Sequence, residues 1–183
     1  MQAEDTGMEP GIGKYVRSIK DFPVKGVVFR DVTGILDSGE GFRLCMTEME
    51  RLLCGTKVDK VAAPESRGFV FGAALADRLR CAFVPIRKPG KLPRETISES
   101  YDLEYGSATL HMHTDAVSKG DSVVIVDDLL ATGGTALAAA HLVERLGGSV
   151  VKMVFPLELA GFGARAGKLA GYDVASLVEY EGR

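Results

Sequence analysis

The stretch Val123-Val124-Ile125-Val126-Asp127-Asp128-Leu129-Leu130-Ala131-Thr132-Gly133-Gly134-Thr135 decides how this chain reads. Four consecutive β-branched residues make a buried strand, and two acids follow at its end. A loop of small residues then opens an Ala/Leu-rich helical segment that stops at Gly147-Gly148. Ligands of open α/β sheets lie beyond the carboxyl ends of the strands, where Asp127 and Asp128 emerge. Two carboxylates there can accept hydrogen bonds from adjacent sugar hydroxyls. The small side chains of Ala131, Thr132, Gly133, Gly134 and Thr135 let backbone N–H groups close around an anion. The two threonines add hydroxyl donors, and the helix start adds its dipole. A ribose 5-phosphate fits this arrangement, with hydroxyls on the acids and phosphate in the loop.

The same pattern continues outward. Val58–Ala63, Cys81–Ile86, Val150–Phe155 and Val174–Leu177 are further apolar runs of strand length. Helical segments separate several of them, at about Gly68–Arg80 and Thr135–Leu146. Phe42–Leu53, with apolar residues three or four apart, is an amphipathic helix. Apolar strands without alternation, joined by helices, predict an α/β fold with a parallel core sheet covered on both faces. Residues 88–113 interrupt this rhythm. They are polar and too long for an ordinary connection, which predicts a functional loop, and Ser107–His113 alternates like an exposed strand. Tyr15–Ile19 is expected to form a short helix, and residues 1–13 to be frayed. His111 and His113 are expected to face solvent, since no third metal ligand accompanies them.

Composition narrows the function. The chain has 183 residues, 46% of them hydrophobic, and a net charge of −3. That is enough apolar material for one domain spanning 1–183, and the charge suggests neither nucleic-acid nor membrane binding. Nothing approaches the roughly 18 apolar residues of a spanning helix. Cys45, Cys54 and Cys81 lack paired spacing and read as reduced thiols of a cytoplasmic protein. Two other phosphate motifs fail. Gly13-Lys14 is followed by Tyr15, so no Walker loop forms. Gly161-x-Gly163-x-x-Ala166 is separated from its preceding strand by Pro156–Leu159.

The segment 123–135 resembles the PRPP-binding signature of the type I phosphoribosyltransferases. Four other blocks are similar to the adenine branch of that family. They are Asp21-Phe22-Pro23 with Gly26–Asp31, Glu65-Ser66-Arg67-Gly68-Phe69, Arg87-Lys88-Pro89-Gly90-Lys91-Leu92-Pro93, and Tyr101-Asp102-Leu103-Glu104-Tyr105-Gly106. The resemblance covers about residues 14–180. It implies Mg²⁺-dependent transfer of 5-phosphoribosyl from PRPP to adenine, giving AMP and pyrophosphate for purine salvage, by a cytoplasmic homodimer.

Residue by residue, the resemblance places the ribose and 5-phosphate on Asp127, Asp128, Ala131, Thr132, Gly133, Gly134 and Thr135. It places pyrophosphate on Ser66, Arg67, Arg87, Lys88, Lys91 and Tyr105, with Arg87 reaching into a neighbouring subunit's site. Adenine falls to the main chain of Val28 and Arg30, with Phe29 stacking and Leu159 closing the other face. Residues of about 94–110 form a flexible hood, which carries Glu104. A carboxylate there can stabilise oxocarbenium charge or assist loss of the N9 proton. Magnesium is expected to arrive on PRPP, held by its oxygens and water and not by a protein cage. Ala160–Arg165 is glycine-rich where the family commonly carries Thr-x-x-Leu-x-Gly-Arg. Two other readings are weaker. An oxopurine enzyme would require a cation near Val154–Ala160, and a PRPP-sensing regulator would carry a DNA-binding extension.

Overall fold

The computed structural model describes residues 11–102 and 106–182. A 3₁₀ turn at Gly11–Tyr15 leads into an antiparallel hairpin of β1 (Arg17–Lys20) and β2 (Val28–Asp31). Helices α1 (Thr33–Leu36) and α2 (Gly39–Arg51) follow. Then come β3 (Lys60–Pro64), α3 (Arg67–Leu79), β4 (Ala82–Ile86), β5 (Thr96–Asp102) and β6 (Ser107–His113). The chain ends with β7 (Ser122–Val126), β8 (Leu129–Leu130), α4 (Gly134–Arg145), β9 (Ser149–Leu159) and β10 (Val174–Tyr180).

The main sheet runs in the order β10-β9-β7-β3-β4, and every neighbouring pair is parallel. Its apolar runs lack alternation because both faces are buried. Val123 and Ile125 of β7 pack toward α4 with Ala62, Met153 and Phe155. Val124 and Val126 pack toward α2 and α3 with Phe71, Leu75 and Met49. Side chains alternate across a strand, so one run of four apolar residues supplies both halves of the core. Ser38 caps α2 by accepting a 3.1 Å hydrogen bond from the Gly41 N–H. The predicted α/β class, core strands and three long helices all appear, with boundaries within a few residues of those expected; β9 runs on to Leu159.

Three expectations are corrected. Tyr15–Ile19 is not a helix: the turn Gly11–Tyr15 ends there and β1 begins at Arg17. A first helical turn is costly to nucleate, whereas β1 gains four cross-strand pairs with β2. The joining turn is closed by Asp21, whose Oδ1 accepts from the Gly26 N–H at 2.7 Å. Secondly, the frayed start does not extend to residue 13, because Ile12 is buried against the α2 side of the core. Residues 1–10 lie outside the described residues.

The third correction concerns His111 and His113. The whole of 96–113, apart from its tip, is an antiparallel hairpin of β5 and β6. It packs on the main sheet through Leu110 and Met112, which are fully buried. His113 is drawn inside with them and sits 3.1 Å from an Arg94 guanidinium nitrogen. His111 is half-buried, 3.1 Å from the Thr96 hydroxyl, and its backbone pairs with Arg87.

Candidate active site

Strand β7 ends with Val126, and the next two residues are the acids. Asp127 turns back so that its Oδ1 accepts the Asp128 N–H at 2.9 Å. Asp128 is buried, and its Oδ2 lies 2.5 Å from Nε of Arg67. Arg67 opens α3, where a cation is disfavoured by the helix dipole; the buried carboxylate offsets that cost. Desolvation pushes the Asp127 carboxyl well above the usual carboxylate range, and the charge of Asp128 adds to the shift. The α3 backbone comes close enough to Asp127 that a Cβ on Gly68 would lie 2.8 Å from its Oδ1.

Past the acids, β8 pairs with β9, and Ala131–Gly133 bends into α4. Gly133 has φ of 78°, a left-handed conformation that suits a residue without Cβ. Asp127 through Ala136, together with Arg67 and Phe155, line a cavity of roughly 220 Å³. A second cavity of roughly 320 Å³ is lined by Glu65, Ser66, Lys88, Tyr101 and Leu110. Arg67, Asp127, Asp128 and Thr135 line both cavities. The result is a two-lobed bowl, with amides and hydroxyls at one end, cations at the other and carboxylates between.

The pyrophosphate candidates divide. Ser66, Arg67 and Lys88 line the second lobe; the Glu65-Ser66 peptide at its rim is cis. Arg87 turns to Glu65, with Nε 3.4 Å from Oε1, and donates to the Lys91 carbonyl at 3.2 Å. Lys91 itself is exposed and lines neither lobe. Glu65 also accepts the Lys88 N–H at 2.7 Å. Desolvation pushes its carboxyl up, but the Lys88 N–H and Arg87 outweigh that and hold it below its ordinary value. Glu104 and Tyr105 lie outside the described residues.

Val28, Phe29, Arg30 and Leu159 belong to a second group. The Arg30 guanidinium lies 4.0 Å from the centre of the Tyr180 ring, and Tyr180 is the register partner of Leu159. The β1–β2 hairpin is therefore fastened to the end of β9 and β10. Phe29 meets Phe22 edge to face at 5.2 Å. Beside this group, Arg165 binds the buried Glu158 through Nε at 2.9 and 2.8 Å and donates to the Val174 carbonyl at 2.7 Å. The glycine-rich segment thus folds as a short 3₁₀ turn, Ala160–Phe162, and returns Arg165 to the strand it left.

Two site residues escaped assignment from sequence. Glu65 holds the Arg87 side chain and the Lys88 backbone N–H, a role signalled only by its place between a strand end and those cations. Tyr101 lies within the hood motif, yet only the hairpin register shows that it faces α4, where its Oη accepts from the Thr135 hydroxyl at 3.2 Å.

Comparison with known proteins agrees with this geometry. Residues 32–169 match the phosphoribosyl transferase domain. An adenine phosphoribosyltransferase of Agathobacter rectalis is 54% identical over 169 residues, covering 92% of this chain and 97% of the relative. The crystal structure of the adenine phosphoribosyltransferase of Thermoanaerobacter pseudethanolicus superposes with a TM-score of 0.88 at 52% identity, covering 92% of this chain and 98% of that one. The Saccharomyces cerevisiae enzyme, solved with adenine and an imino-altritol bisphosphate, gives a TM-score of 0.85 at 36% identity over 91% of this chain and 96% of its own. A parallel sheet ending in paired acids, a small-residue loop opening a helix and relatives of this closeness lead to one assignment: the chain belongs to the phosphoribosyl transferase family, among its adenine phosphoribosyltransferases.

Proposed function

We propose that the protein transfers the 5-phosphoribosyl group of PRPP to N9 of adenine, releasing pyrophosphate and a proton and yielding AMP for purine salvage. The two-lobed bowl carries this reading. PRPP has the same order of parts: a phosphate, a diol and a diphosphate. In the reading, the loop 131–135 takes the 5-phosphate and the carboxylates of Asp127 and Asp128 take the ribose hydroxyls. Ser66, Arg67 and Lys88 take the leaving group, with Arg87, Lys91 and Tyr105 as further contacts.

Each part would lower the barrier in a definable way. As the C1′–oxygen bond to pyrophosphate breaks, positive charge gathers on the ribose and negative charge on the leaving group. Cations around the second lobe would stabilise the latter without reorganising, and Glu104 of the hood motif is the residue we assign to stabilise the former or to assist loss of the N9 proton. Val28, Phe29, Arg30 and Leu159 would hold adenine in line with C1′, and orientation alone can remove several kcal/mol of barrier.

Magnesium fits this donor set as a passenger of PRPP. Among the described residues no group of three or more His, Cys, Asp or Glu could cage a metal, while the bowl joins two carboxylates to a diphosphate-sized space. The ion would supply neutralising charge on the diphosphate oxygens. We read the whole chain as one catalytic domain and place it in the cytoplasm as a homodimer. Free Cys45, Cys54 and Cys81 support a reducing compartment, and the homodimer rests on the resemblance to the adenine branch of the family.

The test is AMP formation from PRPP, Mg²⁺ and adenine, with hypoxanthine, guanine, xanthine and orotate in parallel. Adenine alone should turn over, and Glu104→Ala should lower kcat while largely sparing PRPP affinity. Tight PRPP binding without turnover of any base would overturn the proposal in favour of a PRPP sensor.

A further inference from the structure

The hood hairpin meets the phosphate loop at one hydroxyl. Tyr101 lies on β5, and its Oη accepts a 3.2 Å hydrogen bond from the hydroxyl of Thr135, the second residue of α4. Strand and helix are pressed together here. A Cβ on Gly134 would fall 3.1 Å from Cδ2 of Tyr101 and 3.5 Å from the Asp102 carbonyl. About two strand residues back, Glu99 forms a separate tether, with Oε1 2.9 Å from His141 Nδ1 and Oε2 3.1 Å from Arg145 Nη1. Arg145 also donates to the Ser98 carbonyl at 2.7 Å.

The two tethers differ in what they can sense. Glu99, His141 and Arg145 line neither lobe of the bowl, so an anion in the loop does not compete for their hydrogen bonds. Thr135 lines both lobes of the bowl. An anion in the loop would compete for its single O–H, whose donation to Tyr101 would then end. The Tyr101 O–H can reverse and donate to Thr135 Oγ1, giving a chain from phenol to threonine to phosphate. Hydrogen bonds in such a chain polarise one another, and a donor to a charged acceptor is the stronger kind. Phosphate in the loop therefore tightens the hood, and by linkage a docked hood tightens phosphate.

We propose that Tyr101 is a positioning residue that couples occupancy of the 5-phosphate loop to docking of the hood hairpin, through a reversible hydrogen bond with Thr135. The proposal rests on the placement of the 5-phosphate in 131–135.

Amide hydrogen exchange of the full chain, with and without saturating AMP, tests it. In the wild type, AMP should slow exchange both in 131–135 and in 96–102. Tyr101→Phe should retain slowing in the loop but reduce the AMP-dependent slowing of 96–102 about fivefold, and should weaken AMP by a similar factor. Thr135→Val should reproduce the hood effect, which guards against a local defect peculiar to the tyrosine variant. Glu99→Gln should speed exchange of 96–102 with and without AMP alike, leaving the ligand-dependent factor intact. An unchanged AMP-dependent factor in Tyr101→Phe, or a wild-type hood indifferent to AMP while 131–135 is protected, overturns the coupling. Failure of AMP to protect 131–135 in the wild type overturns the site reading instead.

Discussion

At Gly68, a missing side chain gives the Asp127 carboxylate its place. The added Cβ of Gly68→Ala would meet Asp127 Oδ1 at 2.8 Å and both Pro64 and the Val126 carbonyl at 3.3 Å. Neither the strand nor the helix can yield cheaply, so the variant should lose about 1–3 kcal/mol of stability. Its KM for PRPP should rise more than tenfold; chemical denaturation and steady-state kinetics check the two effects. Asp127 also carries a pH signature. Its carboxyl titrates higher in the folded protein than in the unfolded chain, chiefly by desolvation and then through Asp128. The folded state therefore binds the extra proton, and stability falls as pH rises from the ordinary aspartate value through the raised folded one. Asp127→Asn removes this penalty. Its thermal midpoint should exceed that of the wild type by about 2 °C or more at pH 7, with the gap closing at acid pH, while PRPP binding suffers. Equal midpoints across pH would refute the assignment of a raised carboxyl.

Among elements, the joint between β9, the turn after it and β10 depends on a single cation. Glu158 is buried and accepts from Arg165 and the Ser176 hydroxyl, while Arg165 also donates to the Val174 carbonyl. Desolvation pushes the Glu158 carboxyl up, yet the hydrogen bonds from Arg165 and Ser176 outweigh it, and the net shift is downward. Arg165→Leu leaves a buried charge without its partner and should cost about 3–5 kcal/mol, measured by denaturant unfolding at pH 7. The double variant Arg165→Leu, Glu158→Leu should recover much of that loss.

The element scale is also where sequence reading succeeded and failed. β3, β7 and the core of β9 were legible because burial on both faces forces unbroken apolar runs. The small-residue loop 131–135 and the two acids before it were legible because they are contiguous in sequence. β5 was not, since Ser98, Glu99 and Ser100 look like loop; only pairing with β6 makes Thr96–Asp102 a strand. The β1–β2 hairpin was missed for a similar reason, its order coming from a turn and from pairing between Arg17–Lys20 and Val28–Asp31. His113 looked like a surface residue because its burial depends on where the whole hairpin lands. Glu65 and Tyr101 took their roles from contacts across 22 and 34 residues, which no local pattern encodes.

Over the whole molecule, a net charge of −3 surrounds a bowl lined by Arg67 and Lys88. Attraction of a polyanion to such a site is screened by salt, whereas stacking of a neutral base is not. Raising salt from about 50 to about 500 mM should increase the KM for PRPP several-fold and leave that for adenine nearly unchanged. Ligand should also stabilise the fold by mass action, by about 2.7 kcal/mol at a hundred times Kd; a thermal shift with AMP but none with free adenine would place the dominant binding energy on the phosphate side.

The fastening of Arg30 to Tyr180 joins residues from opposite ends of the chain. During synthesis, β3, β7 and the loop before α4 leave the ribosome well before β10. The half proposed to hold PRPP has its packing partners once Phe155, Ala164 and Leu169 have emerged, whereas the half proposed to hold the base waits for β10. Displacing Tyr180 from Arg30 should first yield a protein that still holds a sugar phosphate but no longer distinguishes one purine from another.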